Sequence, residues 1–273
     1  MSWAVDHGLF GPDSISWRID REVLVLAGGS CALLMQLAHP AVAAGVAEHS
    51  DFRADPFARL RRTLTASYAV VFGSTPRAER AIRRMNAIHA SVAGTVPETG
   101  QPYSALDPAL LLWVHATLVD TAVRVYDRFV ARLSDEEAEA YHSEARQIAI
   151  RLGAADASLP ETLVGLRAEM DRLIASGEVR VSATARSLAP AVLYPAPFPP
   201  RAVWDLAHLV SLAVLAPSIR RGYGIGWSRG RERGVERLAA ASRRLLPLVP
   251  DLLRHVPAAR AAEGRLTRAD RES

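Results

Sequence analysis

The chain has 273 residues, long enough to bury a substantial core in one large domain. Its 33 basic residues are all arginine and, against 29 acidic residues, leave a net charge of +4. The arginines are dispersed among the acids with no aromatic interleaving, which argues against nucleic acid as a partner.

Residues 1–18 read as an N-terminal segment with no basic n-region, no apolar h-region and no twin arginine, so a cytoplasmic protein is expected. Residues 23–47 carry no formal charge, a stretch long enough to cross a bilayer. Gly28-Gly29, Gln36 and His39-Pro40 interrupt it, and proline disfavours the helical conformation at the residue before it. Two buried helices broken near His39-Pro40 fit better than one span, with peripheral membrane contact left open. Cys31 is the sole cysteine; it sits in this apolar run, where a buried, inert thiol is expected, and it excludes an intramolecular disulfide.

Helices are expected at residues 19–38, 40–48, 56–72, 76–93, 107–132, 134–152, 159–176, 200–215 and 230–246. Asp55-Pro56, Thr75-Pro76 and Asp107-Pro108 each pair an N-cap candidate with a proline suited to the first helical turn. Ser134-Asp-Glu-Glu137 has the capping-box pattern. No run of alternating apolar residues is long enough to predict a strand. No repeat or linker divides the chain. The expected architecture is a single all-α, multi-helix domain over residues 19–247, followed by a flexible tail at 248–273 that carries no chemistry.

The stretch from Phe57 to Gly94 concentrates the candidate chemistry. Arg59, Arg62 and Thr63 are three and four positions apart, so they share one helix face. The next helix is basic outside, at Arg77, Arg80, Arg83 and Arg84, and is expected to turn Ile82, Met85, Ile88, His89 and Val92 inward. An apolar-face imidazole beside a guanidinium-bearing helix suits haem iron and its propionates. Of the other histidines, His7 and His255 read as surface residues, His142 as part of a charged helix and His49 as a C-terminal cap. His39, His115 and His208 lie in apolar helices, and His39 and His115 remain alternatives to His89 as an iron ligand.

Other motifs carry less. Glu139-x-x-His142 has the spacing of half a di-iron carboxylate site, but no second such motif exists. Gly222-Tyr-Gly-Ile-Gly226 reads as a turn before an arginine-rich helix, since it does not match G-x-G-x-x-G. No G-x-S-x-G, H-E-x-x-H, C-x-x-C or P-loop occurs, which removes the usual hydrolase, zinc and nucleotide readings.

Several blocks, taken in order, resemble the MpaB and latex-clearing-protein (rubber oxygenase) superfamily. They are ALLMQLAHPAVAAGVAEHSDF (32–52), DPFARLRRTLTASYAVVFG (55–73), MNAIHASVAGT (85–95), PYSALDPALLLWVHATLVDTAVRVYDRF (102–129) and APSIRRGYGIGW (216–227). The resemblance implies a globin-like helical core binding haem b, with dioxygen as co-substrate. It places the family's R-x-x-K-T pattern on Arg59, Arg62 and Thr63, as distal catalytic groups, and its iron-binding histidine on His89. Arg62 stands where the rubber oxygenases carry lysine; an arginine stays charged and cannot ligate iron. Nothing resembles those enzymes' export signal, which argues against an extracellular polymer. The expected activity is therefore oxygenation of a hydrophobic, unsaturated or lipid-like small molecule. A helical haem- or lipid-binding protein without turnover is the alternative.

Overall fold

Helix starts follow the capping groups that the sequence supplies. Asp55 Oδ1 accepts the Ala58 amide at 2.9 Å and Asp107 Oδ1 that of Ala109 at 2.9 Å, each with proline in the first helical turn. Ser134 and Glu137 complete both halves of the capping box, at 3.1 and 2.8 Å. At Thr75-Pro76 the cap lies one residue earlier, at Ser74. The Thr75 amide and hydroxyl are met instead by the Asp6 carboxylate, at 3.0 and 2.8 Å.

A computed structural model describes residues 5–50, 55–196 and 200–272. The end of the first resembling block, at residues 51 and 52, lies outside them. In chain order the elements are α1 (Ile15–Asp20), α2 (Val23–Leu26), α3 (Gly29–Leu37), α4 (Pro40–His49), α5 (Pro56–Phe72) and α6 (Thr75–Ala90). A short antiparallel hairpin follows, β1 (Ala93–Thr95) with β2 (Pro102–Ser104), Gly94 opposite Tyr103. Then come α7 (Pro108–Val125), continued by a π-helical turn at Tyr126–Val130, α8 (Asp135–Arg151), α9 (Leu163–Ala175) and α10 (Ala183–Leu193). The chain closes with α11 (Arg201–Ala207), α12 (Leu209–Val214), α13 (Pro217–Gly222), α14 (Arg229–Leu245), α15 (Asp251–Arg254) and α16 (Pro257–Glu272). The fold is all-α.

The core forms around α7, which packs against α3, α8, α9 and α12. Trp113 is fully buried, and its indole N–H donates to the Met35 carbonyl at 3.1 Å. Among the described residues, the helix over 108–130 is long and apolar enough to cross a membrane, and 72% of its apolar window is buried inside the protein. The uncharged stretch after Val23 is broken twice, into α2, α3 and α4. The α2–α3 segment and α4 meet at 106°, with the His39 ring accepting the Ala41 amide at the corner.

Four expectations are corrected. A two-stranded hairpin exists, too short for alternation to betray it. His255 is buried rather than at the surface. Ile88 is 53% exposed rather than inward. Residues 248–273 are not an unattached tail. Val256, Ala259, Ala262 and Leu266 recur at helical spacing and bury against Trp17, Val71 and Phe72, so α16 completes a second apolar cluster. The Glu22 carboxylate, 1% exposed, takes both Arg254 nitrogens at 2.9 and 2.7 Å, and the Val256 amide donates to the Arg21 carbonyl at 2.8 Å.

Removing one partner from a buried, bidentate pair strands the other charge. Arg254→Ala is expected to lower unfolding stability by about 3–5 kcal/mol, read from urea melts. Substituting the exposed pair Arg83–Glu79 should change stability by less than about 1 kcal/mol in the same assay.

Candidate functional site

The candidate residues lie on the α5–α6 hairpin. Gly73 and Ser74 form its tight turn; a Cβ on Gly73 would stand 2.2 Å from the Ala69 carbonyl oxygen, so only glycine fits. The two helices therefore run back along one another. Arg59 lies 14 residues before Gly73 and His89 lies 15 after Ser74, which sets them level at the open end of the hairpin. α6 is tied to the end of α8 by the Asn86 side-chain amide, which donates to the Arg151 carbonyl at 3.0 Å.

His89 is half-buried, and its Nδ1 is enclosed with no hydrogen-bond partner among the described residues. Burial holds its pKa below the ordinary histidine value, so the ring is neutral and keeps a lone pair for a metal. Arg59 is also half-buried, and burial together with the neighbouring Arg62 lowers its pKa. Arg62 and Thr63 lie on the same face, both exposed. Around them apolar side chains stay open: Phe57 at 50%, Leu60 at 46% and Ile88 at 53%. The hairpin thus offers an unpartnered imidazole, a cation and an uncovered apolar surface together. The chemistry of these residues fits haem b, whose iron His89 would hold through a neutral ring nitrogen and whose carboxylates Arg59 would meet.

The other histidines divide clearly. His39 spends Nδ1 on the α4 cap, at 3.3 Å from the Ala41 amide. His208 bonds through both nitrogens, to the Ser30 hydroxyl at 2.9 Å and the Leu193 carbonyl at 2.7 Å. His49 reaches the Ala93 carbonyl at 3.0 Å, joining α4 to the hairpin strand. His142 holds the Pro160 carbonyl at 3.0 Å while Glu139 takes the Leu163 amide at 3.0 Å, so this E-x-x-H pair fastens α8 to the start of α9. His115 resembles His89 in having a buried ring nitrogen, Nε2, without a partner. Its ring centre lies 6.4 Å from that of His142, and burial followed by that neighbour depresses its pKa to about 4. Cys31 is buried, its thiol pushed up to about 12 by burial, which makes it inert at neutral pH.

A polar group that sequence reasoning missed lies further along α5. The Tyr68 hydroxyl is buried and unpartnered, and the nearby Asp20 carboxylate of α1 raises its pKa beyond what burial does. Asp20 accepts the Tyr141 hydroxyl at 3.0 Å. Burial pushes the Asp20 carboxyl up to about 7 against the Tyr141 hydrogen bond, with Glu144 adding repulsion. The three residues come from α1, α5 and α8, and no spacing in the sequence links them.

The profile of the ER-bound oxygenase mpaB/B′/rubber oxygenase catalytic domain matches residues 17–244. An uncharacterised protein of Mycobacterium tuberculosis is 27% identical over 225 residues, covering 80% of this chain and 87% of its own length. One from Mycobacterium bovis matches to the same extent, 27% over 225 residues. No solved structure matches the chain.

The raised Asp20 value has a signed consequence for stability. Between about pH 4 and 7 the folded chain binds more protons at Asp20 than the unfolded chain, so its contribution to stability falls as pH rises through that window. Asp20→Asn, which keeps an acceptor for Tyr141, should raise the melting temperature at pH 8 and leave it nearly unchanged at pH 4. Melting curves at the two pH values check this.

Proposed function

The chain belongs to the mpaB/B′/rubber oxygenase catalytic-domain family, and on that premise we propose that it is a haem b-dependent oxygenase using dioxygen on a hydrophobic, unsaturated or lipid-like small molecule. The observation that carries this reading is the half-buried, neutral, unpartnered His89 set level with Arg59 across the α5–α6 hairpin.

His89 would hold the iron. Its ring is kept neutral by burial, so no proton competes with the metal for the lone pair. Arg59 would sit against a propionate, where a carboxylate offsets the desolvation that lowers its pKa. Haem, when bound, supplies the redox chemistry with dioxygen. Arg62 and Thr63 offer donors on the same face; as an arginine, Arg62 keeps its charge and serves through hydrogen bonds. Phe57, Leu60 and Ile88 provide the apolar wall that excludes water and accepts a hydrocarbon.

The test is a visible spectrum of protein reconstituted with haem b, as wild type, His89→Ala and His115→Ala. A Soret band that is lost or shifted in His89→Ala and kept in His115→Ala is expected. A band that survives the His89 change but not the His115 change would move the iron to α7. No band in the wild type would overturn the haem assignment. Arg59→Ala should weaken haem retention by roughly tenfold or more, the scale of one charge-assisted hydrogen bond, read by haem transfer to a competing acceptor.

A further inference from the structure

On the far side of α7 lies a cleft of about 640 Å³, walled by α7 and its π-helical extension, α9 and the α12–α13 segment. At about 100° per residue, Asp120 and Arg124 stand roughly 140° and 180° around α7 from His115, so the cleft is separate from the space that His115 faces. Its lining carries five arginines and four carboxylates. Most of these answer one another. Arg128 pairs with Glu232, and Arg132 with Asp127 at 2.7 Å. Arg220 donates to the Leu212 carbonyl at 2.8 Å and lies 4.2 Å over the Trp227 ring.

The remainder does not balance. Asp120, buried on α7, accepts Arg124 Nε on one oxygen at 2.6 Å and Arg167 Nε on the other at 2.7 Å. One guanidinium would neutralise this carboxylate; the second leaves an unmatched positive charge. Both arginines are held through Nε alone, and among the described residues the Nη groups of neither meet a protein acceptor. Their side chains are 48% and 36% exposed, and the exposed Asp171, on the same wall, forms no ion pair with either. Two forks fixed by one buried carboxylate, with four Nη groups presented to a cleft, make a receptor for an oxyanion. The same cleft also has an apolar part, formed by Met35, Met170, Ile174 and Leu215.

We propose that this cleft binds an amphipathic monocarboxylate, its head taken by the Nη groups of Arg124 and Arg167 and its alkyl chain by the methionine-lined wall. Asp120 acts as the positioning residue that holds both guanidiniums in register. The monoanion supplies the charge that the cleft lacks, and a flexible chain suits the adaptable methionines.

Calorimetric titration of the full chain with decanoate, decanol and acetate tests the assignment. Decanoate should bind saturably at one site per chain, with decanol and acetate at least tenfold weaker. Arg124→Gln and Arg167→Gln should each weaken decanoate roughly ten- to a hundredfold, while His89→Ala leaves it unchanged. Both glutamine variants alter partly exposed side chains, and circular dichroism checks their fold; if one fails to fold, the other carries the measurement. Equal binding of decanol, or decanoate affinity that ignores both arginine changes, would overturn the proposal. Loss of binding in His89→Ala would do so as well, by placing the ligand on the α5–α6 hairpin.

Discussion

A buried polar side chain on α7 must find its partner within the fold, because the helix is enclosed along most of its length. That constraint orders the surrounding elements. Trp113 fixes the end of α3 through the Met35 carbonyl, and the Thr121 hydroxyl lies 3.7 Å from the Cys31 sulfur nearer its start. Asp120 draws in α9 through Arg167. Thr117 has only its own helix to turn to and donates to the Val114 carbonyl at 2.8 Å. His115 is the exception: it keeps a buried ring nitrogen without a partner, and burial removes its charge instead.

The α5–α6 hairpin follows a different rule. Its inner end is locked by Gly73, by Asp6 on Thr75 and by the α16 cluster around Phe72, whereas its outer end keeps apolar side chains uncovered and a half-buried imidazole whose Nδ1 has no partner among the described residues. A helix pair anchored at one end and bare at the other suits a flat, largely apolar prosthetic group, which would finish the burial that the protein leaves undone.

Much of this was legible in the sequence where a local rule governed. The caps at Asp55, Asp107 and Ser134 are side-chain-to-backbone contacts within three residues, so spacing alone announces them. The Arg59–Thr63 face follows from helical periodicity. The Asp120–Arg124 pair is likewise an i, i+4 pattern, but Arg167 lies 47 residues from Asp120, and nothing local foretells a shared carboxylate. The same limit hid the burial of His255: a loop-like context near the end of the sequence suggested water, while the Glu22 carboxylate, 3.7 Å from its ring, comes from a distant part of the chain. The segment beyond residue 247 was misread because half of its buried stripe is alanine, Ala259 and Ala262, which gives a weak apolar signal.

The Glu22–Arg254 clasp joins positions 232 residues apart. Contacts of such separation carry a large loop-closure cost and form late. During synthesis the first helices therefore emerge long before the segment that seals them. Until α15 and α16 leave the ribosome, Glu22 faces water and the Trp17–Phe72 surface lies open. The α5–α6 hairpin shares that surface through Val71 and Phe72, so its inner end is completed only when α15 and α16 dock. Any binding event that needs a rigid hairpin then waits until α15 and α16 have emerged and docked.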